Sequence, residues 1–269
     1  MKLSFSTLGC PDRNLDNVLE AAKKYGFDGI EIRGLSGEMY APKMPDFAPE
    51  KLESVKAKLS SLGLEIPILS SGATFAEIDR AQASFVEACA YVDLAGALGV
   101  PFVRVKSTLQ GYITPGDLRL ASGLYGQLCE YAEHRGVVPL LETNGNLCSS
   151  AAMRAIIRRT GSKNSGVLWD VHHTWRYGGE TPVETIANIG NYICHVHIKD
   201  SITENGGVKY VLPGTGDIPF ADMLLMLHAL RYEGYISLEW DPALESDLPE
   251  TTELLAHYKT YMSEQLAEI

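Results

Sequence analysis

Along most of this chain one unit of hydrophobic patterning recurs: an amphipathic stretch with helical spacing, a glycine, then a short aliphatic or β-branched run. It appears in AAKKYGFDGIEI around Gly26, SSLGLEIPIL around Gly63, AGALGVPFVRV around Gly99 and AEHRGVVPLLE around Gly136. These glycines are 37, 36 and 37 residues apart, and the unit returns in HALRYEGYISLE around Gly234. A glycine just past a helix accepts the left-handed conformation that ends it, so the chain enters the next strand through a short loop. Helices and strands alternating at this period imply βαβ units and a parallel sheet. The pattern predicts strands near residues 2–6, 29–33, 64–69, 101–106, 137–142, 166–170, 192–198 and 235–240. Eight units in 269 residues, with no Pro/Gly/Ser-rich linker, predict one (β/α)8 TIM barrel domain over 1–269. A doubly wound open sheet is the alternative, but no GxGxxG turn follows the first strand to support it. The longer stretches at 34–48 and 199–219 each follow a strand, on the face where barrels build their sites.

The ends of the apolar runs carry the candidate chemistry. VVPLLE, GVLWD, ICHVH and ISLE close on Glu142, Asp170, His197 and Glu239, which are 28, 27 and 42 residues apart. That is too far for one helix or one loop and fits the ends of successive parallel strands. Taken singly, each has an ordinary explanation: a strand-end carboxylate caps the next helix, and a lone histidine on a strand is structural. Taken together, buried carboxylates this close repel strongly without a cation. Three carboxylates and one imidazole suit one divalent metal ion, Mn2+ or Mg2+ by preference, with Zn2+ or Co2+ as alternatives.

Composition narrows the classes. A hydrophobic content of 45% and a charged content of 21% are ordinary for a soluble globular protein. A formal charge of −11 opposes nucleic-acid binding, which draws on Lys and Arg. The five cysteines form no CxxC pair and leave one unmatched, which suits reduced thiols in the cytoplasm. MKLSF opens directly on strand-like residues and no apolar run reaches membrane-spanning length, so a soluble cytoplasmic protein is expected.

WDVHHT, CHVHIKD, PGTGDIPF and GYISLEW together resemble the sugar phosphate isomerase/epimerase superfamily of xylose isomerase-like barrels. The resemblance runs from GFDGIEIR to the last strand, with its strongest motifs in 137–240. It implies that Glu142, Asp170, His197 and Glu239 hold one divalent metal, with the HIKD frame selecting His197 over His195. Alternation then places His195 on the same side, one step deeper. It implies further that Glu142 and Glu239 act as an acid/base pair and that His173 contacts a substrate oxygen. The reaction implied is isomerisation or epimerisation of a small sugar or sugar-like molecule, by proton abstraction beside a carbonyl and a metal-stabilised enediolate. Many members of the superfamily are homo-oligomers, which extends the expectation to this chain without testing it.

Three other readings are weighed against this one. Dehydratases of inosose or dehydroshikimate share the first proton abstraction and then expel a β-hydroxyl. A non-catalytic sugar-binding barrel needs no acid/base pair. Metal-dependent apurinic endonucleases need histidines on strands 3 and 4, where this chain has IPILSSG and VRVKS.

Eight further polar or aromatic positions surround the expected pocket. Lys199 faces the same side as His197 and either binds a phosphate, carboxylate or enolate oxygen or pairs with Asp200 or Glu239. Glu31, Arg33, Arg104 and Lys106 end strands 2 and 4 and either line the pocket, Arg33 and Arg104 touching substrate, or form structural ion pairs. Trp175 and Trp240 either stack on a sugar face or pack the barrel. Asn144 is a substrate-binding candidate standing where many relatives carry histidine. That loss of a possible acid leaves the second half of the reaction open. Cys10 and Cys148 read as incidental.

Overall fold

In a computed structural model, residues 1–107, 114–244 and 248–269 are described. Eight strands form one parallel sheet: β1 (Lys2–Ser6), β2 (Gly29–Glu31), β3 (Ile68–Thr74), β4 (Phe102–Lys106), β5 (Val138–Glu142), β6 (Gly166–Asp170), β7 (Ile193–Ile198) and β10 (Tyr235–Leu238). Between the last two, β8 (Asp200–Glu204) and β9 (Gly207–Val211) make an antiparallel hairpin outside the sheet. The sheet order is β2-β1-β10-β7-β6-β5-β4-β3. Parallel bridges Gly29↔Glu65 and Ile32↔Leu69 bring β2 against β3 and close the ring.

Helices return the chain between strands: α1 (Leu15–Tyr25), α2 (Leu52–Leu62), α3 (Ala81–Leu98), α4 (Pro115–Glu133) and α5 (Ser150–Thr160). They continue as α6 (Val171–Arg176), α7 (Pro182–Ile189), α8 (Phe220–Ala229) and α9 (Thr251–Ala267). Gly26, Gly63 and Gly99 sit in the left-handed conformation directly after α1, α2 and α3, as the patterning predicts.

Strand alternation divides the wall into two faces. Val103, Trp169, Val196 and Ile236 belong to the large core between sheet and helices. Ile68, Leu140 and Leu168 form a separate cluster inside the ring, with Phe102, Val138 and Cys194 packed on it. They plug the amino-terminal end of the barrel. Two residues further along β5 and β6, the same inward face presents Glu142 and Asp170 instead. The fold thus delivers a polar layer above an apolar plug. Tyr125 of α4 ties the wall to the helices, its hydroxyl donating to the Pro139 carbonyl (2.7 Å) and accepting from the Gly166 N–H (2.9 Å).

Three expectations need correction. The third strand starts at Ile68 rather than near 64, because Pro67 has no N–H for the ladder and only the isolated bridge at Glu65 precedes it. The glycine before the last strand does not end α8. Arg231 takes the left-handed position (φ 56°), and Gly234 is needed because a Cβ there would collide with the Tyr232 ring. The stretch 199–219 contains the β8–β9 hairpin, which short, half-exposed strands did not announce. Among the described residues no helix is long and apolar enough to cross a membrane.

Candidate active site

Glu142, Asp170, His197 and Glu239 converge at the carboxyl ends of β5, β6, β7 and β10. One donor atom from each lies within 4.8 Å of all the others, and all four side chains are buried. His197 Nδ1 lies 3.2 Å from Glu142 Oε1 and 3.5 Å from Glu239 Oε2. Asp170 does two jobs. Its Oδ1 caps α6 by accepting the His173 N–H at 3.0 Å, while its buried Oδ2 accepts no hydrogen bond among the described residues. The capping and metal-binding explanations of a strand-end carboxylate therefore hold for the same residue.

Arg104 and Lys199 set the electrostatics of the cluster. Arg104 Nη1 donates to Glu142 Oε2 at 3.3 Å and to Glu239 Oε1 at 3.0 Å, and Nη2 donates to the Ser71 carbonyl at 3.0 Å. Each glutamate thus has one oxygen on the guanidinium and the other turned toward His197 Nδ1. Burial alone would raise the Glu142 carboxyl, but Arg104 together with His197 outweighs it and holds the group at about 2. Glu239, buried too, is held well below the usual carboxylate range by His197 and Lys199. Burial opposes charge on His197, yet Glu31 and Glu239 raise its pKa well above normal. Lys199 Nζ lies 3.1 Å from Asp170 Oδ2 and 3.4 Å from Glu239 Oε2. Of its two sequence readings, the Glu239 ion pair is present, with Asp170 as second partner. Of the two sequence readings of Arg104, the ion pair is present: Nη1 serves both glutamates.

The donor set fits a divalent cation. Three buried carboxylates and one imidazole within 4.8 Å match an oxygen-rich site, and the buried Asp170 Oδ2 has the Lys199 ion pair but accepts no hydrogen bond among the described residues.

Behind the cluster lies a partner that sequence reasoning named but did not connect. Glu31, at the end of β2, accepts from His197 Nε2 at 2.8 Å, with His195 Nε2 at 3.3 Å and Ser70 Oγ at 2.6 Å. His195 is thus one step deeper than His197, as alternation requires. A carboxylate on one ring nitrogen fixes which nitrogen is presented to the metal position. The signal was available: an inward carboxylate on β2 at the level of two inward histidines on β7.

His173 faces the site, with Nε2 3.7 Å from Asp170 Oδ2 and 3.4 Å from the Asn144 amide nitrogen. Burial lowers its pKa against the pull of Asp170. His172 keeps one ring nitrogen within 4.8 Å of Asp170 and His173, with its Nε2 2.9 Å from Ser201 Oγ and its ring stacked on Tyr210, and burial pushes it down to about 2. Asp200 of the HIKD motif organises a loop: its carboxylate accepts N–H bonds from Ser201, Gly214 and Gly216 at 2.8–2.9 Å. A Cβ on Gly216 would overlap that carboxylate, which explains the glycine in PGTGD.

Arg33 donates to the Met39 carbonyl at 2.7 Å on the opposite arc of the ring. Trp175 packs, partly buried, against the main core, and Trp240 is buried over Gly9, where a Cβ would enter the indole. Packing accounts for both tryptophans. All five cysteines are free, and burial pushes the Cys10 thiol up to about 11.

Comparison with known proteins places the fold. The xylose isomerase-like TIM barrel family model matches residues 19–261, and the chain belongs to that family. Fructoselysine 3-epimerase of Shigella flexneri is 23% identical over 258 residues, covering 89% of this chain and 90% of that protein. Inosose dehydratase of Clostridium botulinum (strain Alaska E43 / Type E3) is 25% identical over 280 residues, covering 88% of each. Among solved structures, the IOLI protein with a binding zinc atom superposes with a TM-score of 0.83 at 20% identity, covering 100% of this chain and 99% of that one. An L-ribulose 3-epimerase superposes with a TM-score of 0.80 at 21% identity, covering 99% and 95%. These structural likenesses speak for the fold.

Proposed function

We propose that this protein is a divalent-metal-dependent epimerase or isomerase of a small sugar or sugar-like ketone, with Glu142 and Glu239 moving the proton beside the carbonyl. One observation carries the reading: two buried glutamates from β5 and the end of β10 share Arg104 on one side and face His197 Nδ1 on the other. Glu142, Asp170, His197 and Glu239 would hold the metal. When bound, a divalent cation supplies Lewis-acid polarisation of a carbonyl and its neighbouring hydroxyl. The chain's own groups do the rest. Arg104 and His197 at Glu142, and His197 and Lys199 at Glu239, keep both glutamates ionised, so either can accept a proton from the substrate carbon. Once the second glutamate has itself taken up a proton from solvent, its return of that proton to the other face inverts the carbon, while return of the abstracted proton to the neighbouring carbon isomerises the substrate. His173 and Asn144 sit together where a substrate hydroxyl can be held, and Lys199 offers a cation to developing negative charge.

A dehydratase is the second reading. A β-hydroxyl leaves only if an acid protonates it, and His173 beside Asp170 is a titratable group placed to do so. The curated relatives include proteins of both kinds. Proton NMR of metal-loaded protein with ketoses, aldoses and cyclic polyol ketones in D2O separates them. Deuterium beside the carbonyl with an isomeric product supports the epimerase or isomerase. An enone or deoxy-diketone transfers the protein to the dehydratases. No exchange and no product across the panel would refute both.

A further inference from the structure

We propose that the substrate carries an anionic group, a carboxylate or a phosphate, remote from the reacting carbons, and that Lys106 and Arg33 receive it. The inference rests on the reading above of a sugar-like substrate and adds its charge. Glu142, Asp170 and Glu239 lie on β5, β6 and the end of β10, whereas Lys106 ends β4 and Arg33 follows β2, with β3 between them.

Neutralising the carboxylates explains two of the four cations. Arg104 pairs with Glu142 and Glu239, and Lys199 with Asp170 and Glu239. Among the described residues, Lys106 and Arg33 form no ion pair within 4.0 Å. Lys106 is half-buried; desolvation, then Arg104 and Arg33, outweigh the favourable pull of Glu142 and Glu239 and lower its pKa to about 8. Arg33 spends Nη1 on the Met39 carbonyl, while Nη2 lies 3.4 Å from where a Cβ on Gly72 would be. A side chain on Gly72, the β3 residue beside it, would meet Glu87 Oε1 at 3.0 Å as well as Arg33, so the glycine leaves room for both groups. Glu87 holds the Gly72 N–H at 2.6 Å and acts on Arg33 from beyond ion-pair distance.

The charges support the same conclusion. Glu31, Glu87, Glu142, Asp170 and Glu239 face Arg33, Arg104, Lys106 and Lys199, so a divalent cation with His197 neutral leaves the site one charge positive. The Arg104 Nε–H, buried without a hydrogen-bond partner among the described residues, adds a donor on the same strand as Lys106. An anion is the ligand that satisfies these groups, and the metal half of the site remains for the reacting carbons.

Equilibrium binding tests this without turnover. D-fructose, D-fructose 6-phosphate and D-fructuronate share a ketose head and differ at C6, and their affinities for Mn2+-loaded protein are measured by calorimetry. At least one anion should bind about 10-fold or more tighter than fructose, as expected for charge-assisted hydrogen bonds. The stronger anion identifies carboxylate or phosphate. K106Q and R33Q, checked for native circular dichroism, should bring the anion-to-neutral ratio toward one. Equal affinities for all three, no binding by either anion, or a ratio unchanged in K106Q would overturn the proposal. Deuterium exchange decides the functional reading separately, so exchange with equal affinities sinks the anion subsite alone.

Discussion

Replacing Glu31 with Gln should weaken metal binding without a ligand being touched. Glu31 is wholly buried, and its oxygens are divided between Ser70 and the two histidines. Burial raises its carboxyl, but His197 and His195 together hold it well below the usual range, so it remains ionised. Its Oε2 takes the Nε2–H of His197 and leaves Nδ1 for the metal position. Glutamine keeps the shape and loses the charge. Its single carbonyl oxygen can still accept from one histidine, while its NH2 group must face the other partners. Losing a carboxylate behind a metal-bound histidine costs about 10–100-fold in affinity, or about 1.4–2.7 kcal/mol. The assay is Mn2+ affinity at pH 7 by chelator competition, with thermal unfolding run in parallel. E31Q binding Mn2+ within about twofold of the parent, with a native fold, would refute the assigned role.

Two further outcomes follow from the same geometry. His197 is raised well above the normal imidazole range against its burial by Glu31 and Glu239, so the metal-free protein carries it protonated at neutral pH. Metal binding through Nδ1 should release about one proton, and affinity should rise with pH until His197 is deprotonated. The buffer dependence of the calorimetric enthalpy measures this, and no proton release at pH 7 would contradict it. Away from the site, Y125F leaves the buried Gly166 N–H without its acceptor and should cost about 1–3 kcal/mol in urea unfolding, with no cost counting against the hydroxyl tie.

Much of the fold was legible because strand and helix periods alternate cleanly and the helix-ending glycines punctuate them. Gly26, Gly63 and Gly99 do what the pattern said, whereas Gly234 does not, because a side-chain clash and a left-handed turn leave the same glycine in a sequence. The four candidate ligands were legible for a related reason: each breaks an apolar run at a strand end, and closing the ring brings those ends together. Partnerships across the ring were not. Nothing local links Glu31 to His197, 166 residues away, or Arg104 to Glu239, 135 residues away. Those pairs depend on the register of strands that never neighbour each other in sequence. The short β8–β9 hairpin was hidden for another reason. Its exposed strands lack the apolar alternation that marks a buried one.

Proton transfer by the paired glutamates is the central claim, and solvent deuterium exchange by E239Q at saturating Mn2+ tests it most directly. With the substrate identified by the D2O panel, the parent protein should exchange deuterium beside the carbonyl. E239Q should fall by about 100-fold or more while still folding and binding metal. Parental exchange and product formation in E239Q would contradict the assignment of Glu239 to the reaction.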